Sequence, residues 1–332
     1  MGDAGGMDMK NLYLKIRDGI SDLWATNRPL TFVGVMMVCD VAACLVAMIF
    51  DSRQITGINA WIKPAKFGLS SAITCLTLAW IAVYLAAWPR VRDWSCRVFA
   101  ASIAFEIVII DLQAARGTTS HFNVSTPFDK AAFVVMGISI ATLWISMAGM
   151  TYALFRQKVA PDSWCWALRL GLLASLIGAA AGGFMLHQTP EQKSAGDGHY
   201  FGAHTVGASD GGPGLPFLNW STAHGDLRVA HFLGLHAVQF IPLMAWWLSR
   251  RKRLLESQRT QLVWMGSILY FLCFVITAWQ AQRGQTLVQP DGLTLGAELT
   301  LVGIAGMGAT IILSPALRVA MNDWARVLEV RL

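Results

Sequence analysis

The chain has 332 residues, of which 55% are hydrophobic and only 14% charged, with a mean hydropathy of +0.49. Soluble domains carry about 25% charged residues, so this composition excludes an ordinary soluble fold. The formal net charge of +6 does not indicate nucleic-acid binding, because the basic residues stand at the ends of apolar stretches and form no patch.

The opening Met1-Gly2-Asp3-Ala4-Gly5-Gly6 lacks the Ser or Thr of a myristoylation signal. No short apolar region with a cleavage site follows, and the first span is expected to act as an uncleaved insertion signal. Residues 1–28 read as a cytoplasmic amphipathic segment in which Leu12, Ile16, Ile20 and Leu23 recur at helical spacing. Taking about twenty apolar residues per crossing, eight spans follow at roughly 30–50, 67–88, 94–113, 131–155, 164–187, 229–248, 261–281 and 293–313. Residues 316–332 close the chain as a second amphipathic segment carrying Leu317, Trp324, Val327 and Leu328. The expected fold is therefore an all-α polytopic membrane helix bundle whose partner is the lipid bilayer. The six cysteines lie in or beside apolar stretches without a CxxC pair, as small core residues do.

Lysine and arginine set the orientation. Connections on the side of the N-terminus hold 18 of the 26 basic residues and the opposite connections hold 8, which places both termini in the cytoplasm. Residues 188–225 then lie outside, with eight glycines including Gly211-Gly212-Pro213-Gly214, and with Phe201, Phe217 and Trp220. That length suits either a functional lid or a flexible tether, and the aromatics favour the lid by giving it something to pack with. No Gly-Lys-Ser/Thr element accompanies the glycines, so they do not form a nucleotide site.

Two span ends match. Gln113-Ala114-Ala115-Arg116-Gly117-Thr118 ends the third and Gln280-Ala281-Gln282-Arg283-Gly284-Gln285-Thr286 the seventh, while Ala65-Lys66-Phe67-Gly68 and Ala230-His231-Phe232 open the second and sixth. These matches suggest a parallel four-plus-four repeat, 29–155 and 156–315, related by an axis along the membrane normal.

Ionisable residues in hydrocarbon each need a partner or a role. Here they gather in the outer half: Lys63, Lys66, Glu106, Asp111, Arg116, His121, Asp129, His187, Asp226, Arg228, His231, His236, Arg283 and Glu298, with Asp40 the deepest. Helical rise places Glu106 about 10 Å and His236 about 12 Å below the surface, so one outer-half pocket could hold Glu106, Asp111, Arg116, His187, His231 and His236. On a straight helix His231 and His236 diverge by about 140°, unlike paired metal ligands three or four residues apart. Each histidine alone also reads as a helix-to-helix hydrogen bond, Arg116 with Asp111 and Arg228 with Asp226 read as interfacial ion pairs, and Asp40 reads either as a proton relay or as the partner of a hydroxyl. His199, His204 and His224 read as solvated loop residues, and Trp61, Trp220 and Trp279 as interface anchors.

The runs Arg116-Gly117-Thr118-Thr119-Ser120-His121-Phe122-Asn123 and Gly225-Asp226-Leu227-Arg228-Val229-Ala230-His231-Phe232, with Trp61-Ile62-Lys63-Pro64 and the Gly-Pro-rich outer loop, resemble an uncharacterised family of bacterial multi-pass inner-membrane proteins. The resemblance implies an inner-membrane location and no activity. Three functions fit the residues. The first is a redox protein binding b-type haem or a transition metal, with His187, His231 and His236 as ligands and Arg116, Arg228 and Lys66 near the propionates. The second is an enzyme acting on a lipid or quinone-like hydrophobic small molecule, with His236 or His231 as base oriented by Glu106 or Asp111. The third is a proton-coupled transporter relaying through Asp40 and Glu106. The orientation predicts that Ser209→Cys reacts with an impermeant thiol reagent in intact cells and Lys252→Cys does not; the reverse labelling would overturn it.

Overall fold

A computed structural model describes residues 9–187, 194 and 199–314. The tail segment 316–332 and the first eight residues lie outside that range. The described residues form ten helices: α1 Met9–Thr26, α2 Arg28–Phe50, α3 Ile62–Ile81, α4 Pro89–Ala115, α5 Pro127–Arg156, α6 Asp162–Ala180, α7 Leu227–Leu235, α8 Ala237–Ser249, α9 Glu256–Gln282 and α10 Gly292–Leu313. Among the described residues strands are limited to two short antiparallel pairs, β1 Gln54–Ile55 with β2 Ile58–Asn59, and β3 Thr205–Val206 with β4 Gly225–Asp226. Among the described residues seven helices are long and apolar enough to cross a membrane, and the bent pair α7 and α8 brings the number to eight if it is counted as one span. The protein is therefore a multi-pass helical membrane protein. Helices serve because hydrocarbon offers no partner to backbone N–H and C=O groups, and a helix satisfies them within one segment.

Polar side chains mark where helices begin and end. Asn27 separates α1 from α2, its Oδ1 accepting the N–H of Leu30 at 3.1 Å, and Asp291 caps α10 by accepting the N–H of Thr294 at 2.8 Å. Pro89 starts α4, where its missing N–H costs nothing. α4 and α9 end in one and the same way. Gly117 (φ +74°) and Gly284 (φ +72°) take the left-handed conformation. The following amides reach back to buried glutamines, Thr118 N–H to Gln113 O at 3.0 Å and Gln285 N–H to Gln280 O at 3.2 Å. In both cases the intervening arginine turns to an aspartate at the start of the next helix, Arg116 to Asp129 and Arg283 to Asp291. The Gln-x-x-Arg-Gly match in the sequence thus encodes a shared cap and latch.

The chain divides into two compact units, residues up to 121 with 128–153, and 122–127 with 154 onward. In the first, α2 packs along α3, both touch α4, and α5 lies on α4 through Ser139 and Gly149. In the second, α6 packs along α7 and α8, all three touch α9, and α10 lies on α9. In each unit three elements touch one another pairwise: α2, α3 and α4 in the first, and α6, the α7–α8 pair and α9 in the second.

The second unit differs from expectation in its sixth span, which is not a straight helix. α7 and α8 meet at 50° around His236, whose φ and ψ of −85° and 5° leave the helical region. His236 still donates its N–H to Phe232 O at 3.1 Å as the cap of α7, so the bend falls after it and the roughly 140° expected between His231 and His236 is kept. The break frees carbonyls in an apolar setting, and two neighbouring helices supply donors. Tyr270 Oη donates to Leu233 O at 2.6 Å, and Ser175 Oγ donates to Leu235 O at 2.7 Å. Close approach of α6 makes this reach feasible: a Cβ on Gly178 would sit 2.2 Å from Gly234 Cα. A methyl there must push backbone apart, a cost of about 1–3 kcal/mol. Gly183, whose added Cβ would meet nothing within 4 Å, is the control. Gly178→Ala is expected to lower the melting temperature in detergent by several degrees and Gly183→Ala to leave it unchanged; equal shifts would show that the crossing carries no stability.

Candidate functional site

The first unit brings together Asp40 of α2 and Asp111 of α4. One carboxylate oxygen from each and the Sγ of Cys44 all lie within 4.8 Å of one another. Cys44 follows Asp40 by one helical turn, with Sγ 3.9 Å from Asp40 Oδ1. Asp40 Oδ2 and Asp111 Oδ1 are buried and accept no hydrogen bond. Space for Asp40 comes from Gly68 on α3, where a Cβ would stand 2.7 Å from Asp40 Oδ2. Depth counted from span ends separated these aspartates, because Asp40 is midway along α2 and Asp111 one turn from the end of α4. The 27 residues of α4 are about 40 Å long, well over the ~30 Å of hydrocarbon, so span ends do not mark equal depths.

Glu106 does not join this pair. It lies about 140° round α4 from Asp111, is 2% exposed and leaves Oε1 without a partner. The charge acting on it is Lys63, at the start of α3. Lys63 Nζ is 3.3 Å from His121 Nδ1, and the His121 ring rests on Phe67. Arg116 was expected beside Asp111 and instead meets Asp129, Nη1 to Oδ1 at 2.6 Å, with Gln113 Nε2 donating to the same oxygen at 2.9 Å. The reason is helix geometry: Asp111 stands about 140° round α4 from Arg116, whereas Gln113, three residues before it, shares its face and the same Asp129 oxygen. Lys66 is half-buried one turn into α3.

In the second unit, His231 Nδ1 is 2.9 Å from the carbonyl of Gly178, and His236 Nδ1 is 3.2 Å from Gln239 Oε1. If each Nδ1 carries the proton, each Nε2 holds a lone pair. His187 is an exposed residue that ends the 3-10 turn Ala181–Leu186. Arg228 pairs with Asp226 as expected, at 2.6 Å, and donates to Asn219 O. A cavity lined by Asp226, Val229, Thr277, Gln280 and Gln285 measures about 10 Å³. That admits one water and no macrocycle.

The described part of the loop before α7 is held by polar contacts more than by aromatic ones. Phe201 and Phe217 are exposed, and of the three aromatics Trp220 alone packs as expected, against Phe232 at 5.6 Å between ring centres. Asp210 accepts the amides of His204 (3.1 Å) and Thr205 (2.9 Å) and faces His204 Nδ1 at 2.7 Å. The His204 ring sits edge-on to Phe122 at 4.9 Å, so His204 is built into the loop and is not a freely solvated residue. Phe122 and Phe201 join through Phe201 N–H to Phe122 O at 2.8 Å. No protein-family model, curated protein or solved structure matches the chain.

Burial alone would raise the Asp210 carboxyl, but the His204 side chain and the amides of His204 and Thr205 outweigh it and hold the group well below its ordinary 3.8. A depressed carboxyl contributes stability that is present above its unfolded value and lost as pH falls through the folded one. The turn at 204–210 is therefore expected to hold at neutral pH and to loosen below about pH 4. Hydrogen exchange of the His204 and Thr205 amides, corrected for intrinsic pH dependence, should rise on acidification, and Asp210→Asn should abolish that rise; the same acid response in the variant would refute the assignment.

Proposed function

We propose that the protein is a proton-coupled membrane transporter whose proton is held by Asp40 and Asp111. The observation that carries this is the pairing of two carboxyl groups inside membrane-spanning helices with an unpartnered oxygen on each. Two negative charges so close, away from water, repel strongly, and the pair is relieved when one proton sits between them. A site that gains or loses one proton at moderate cost is what coupling requires. The interrupted sixth span and the like-packed units support the same reading, since transporters are commonly built from repeats with broken helices near mid-membrane.

A second reading rests on His231. The Nδ1 hydrogen bond at His231 would present its Nε2 lone pair beside a helix break, the tautomer needed to bind a transition metal or b-type haem, or to act as a base on a lipid or quinone-like substrate. The visible spectrum and metal content of the purified protein decide this reading: a Soret band or stoichiometric metal lost in His231→Ala supports it.

The transporter reading is tested in lipid vesicles. Wild-type protein is expected to dissipate an imposed pH gradient several-fold faster than empty vesicles, and Asp40→Asn and Asp111→Asn each to slow it. Gly68→Ala, whose methyl would displace Asp40, should also slow it. Flux no faster than that of empty vesicles, or unchanged flux in both asparagine variants, would overturn the proposal, as would stoichiometric metal lost in Cys44→Ala.

A further inference from the structure

α4 carries a second polar face, opposite the one that reaches Asp40. Ser95, Ser102, Glu106 and Gln113 fall within about 40° of one another round the helix at about 100° per residue. Exposure of all four is between 0% and 9%. Their span of the helix, from residue 95 to 113, rises about 27 Å, close to the ~30 Å thickness of the hydrocarbon core. Apolar residues would fill such a buried stripe at no desolvation cost, whereas a carboxyl and two hydroxyls there each carry a penalty unless they are used.

The stripe faces α5. Gln113 donates to Asp129, Ser139 Oγ donates to Ser102 O at 3.2 Å, and Ser95 Oγ lies 3.0 Å from where a Cβ on Gly149 would be. Two of its groups are buried with no partner, Glu106 Oε1 in the middle and Ser95 Oγ toward the other end. Both ends reach charged residues at the protein surface. At one, Arg116, 36% exposed along its side chain, holds Asp129; at the other, Arg92 and the exposed Asp93 follow the start of α4. Along α5 from Ala131 to Phe155 the only ionisable side chain is Tyr152, and from α3 the charge reaching Glu106 is Lys63.

We propose that the contact between α4 and α5 is a proton path across the membrane, with Glu106 as its central acceptor. Neighbouring groups on α4 are about 6–10 Å apart along the axis, too far for direct transfer, so water enters the seam and bridges them. A proton arriving through the Ser95 hydroxyl and its bridging water binds to a Glu106 oxygen, and the same carboxyl releases it to water leading to Gln113 and Asp129. Each hydroxyl or water gives up one proton as it accepts another, so no net charge stays on the serines. This path deepens the proton-carrying reading of the first unit by supplying a route that Asp40 and Asp111, on the other face of α4, do not.

Infrared difference spectra of the full chain in lipid vesicles, recorded between acid and alkaline pH, separate the two sites. A protonated-carboxyl band lost in Glu106→Gln and kept in Asp40→Asn and Asp111→Asn belongs to Glu106. On transfer to D₂O that band is expected to shift rapidly in wild type and several-fold more slowly in Ser95→Val and Ser139→Val. Ser95→Ala removes the hydroxyl without adding bulk and should slow exchange to a smaller extent, which keeps the test available if the valine variants insert poorly. No Glu106 band responding to pH, or exchange equally fast in every serine variant, would overturn the seam while leaving the Asp40 and Asp111 bands to stand or fall separately.

Discussion

In hydrocarbon, every backbone carbonyl that leaves a helix must find a donor within the protein, and the hydroxyls of Tyr270 and Ser175 meet that demand at the break in the sixth span. The rest of the second unit is arranged around this requirement. Ser175 reaches Leu235 because α6 approaches α7 to within contact of bare glycine backbones, and the same approach brings His231 to the Gly178 carbonyl. Tyr270 comes from α9 and is itself stacked on Phe240 of α8 at 4.7 Å. Three helices are thus tied to one interruption, which turns a weak point of the backbone into the centre of the packing.

The first unit places its polar groups differently. There the helices are unbroken, and polarity is carried by side chains on two faces of α4. Asp111 looks toward Asp40 of α2, for which Gly68 of α3 leaves room. Glu106 looks the other way, between Ser102 and Gln113. Carboxyls on opposite faces of one helix can be occupied independently, since the helix backbone lies between them.

Much of this was legible in the residues. Span positions followed from apolar length to within a few residues, as with 131–155 against Pro127–Arg156. The paired Gln-x-x-Arg-Gly ends carried real geometry, because glycine at a helix end is read locally from φ alone. The α4 seam was also present as a spacing of seven, four and seven residues from Ser95 to Gln113. It escaped notice because serine in a long apolar run reads as filler until its neighbours are known. Arg116 could not be assigned correctly from sequence, since Asp129 lies on the next helix and reaches the face shared by Gln113 and Arg116 only once α5 is packed.

The sequence by itself determined that this chain resides in a membrane, how many times its helices can cross, and where each helix starts and stops, because those depend on transfer free energy and caps that act over a few residues. Only the tertiary structure decided which polar groups meet: Asp40 with Asp111, Arg116 with Asp129, His231 with a backbone carbonyl. Those pairings depend on helix offset, rotation and bend. A shift of one turn in α4, or a straight helix through His236, would leave the hydropathy pattern unchanged and produce a different site.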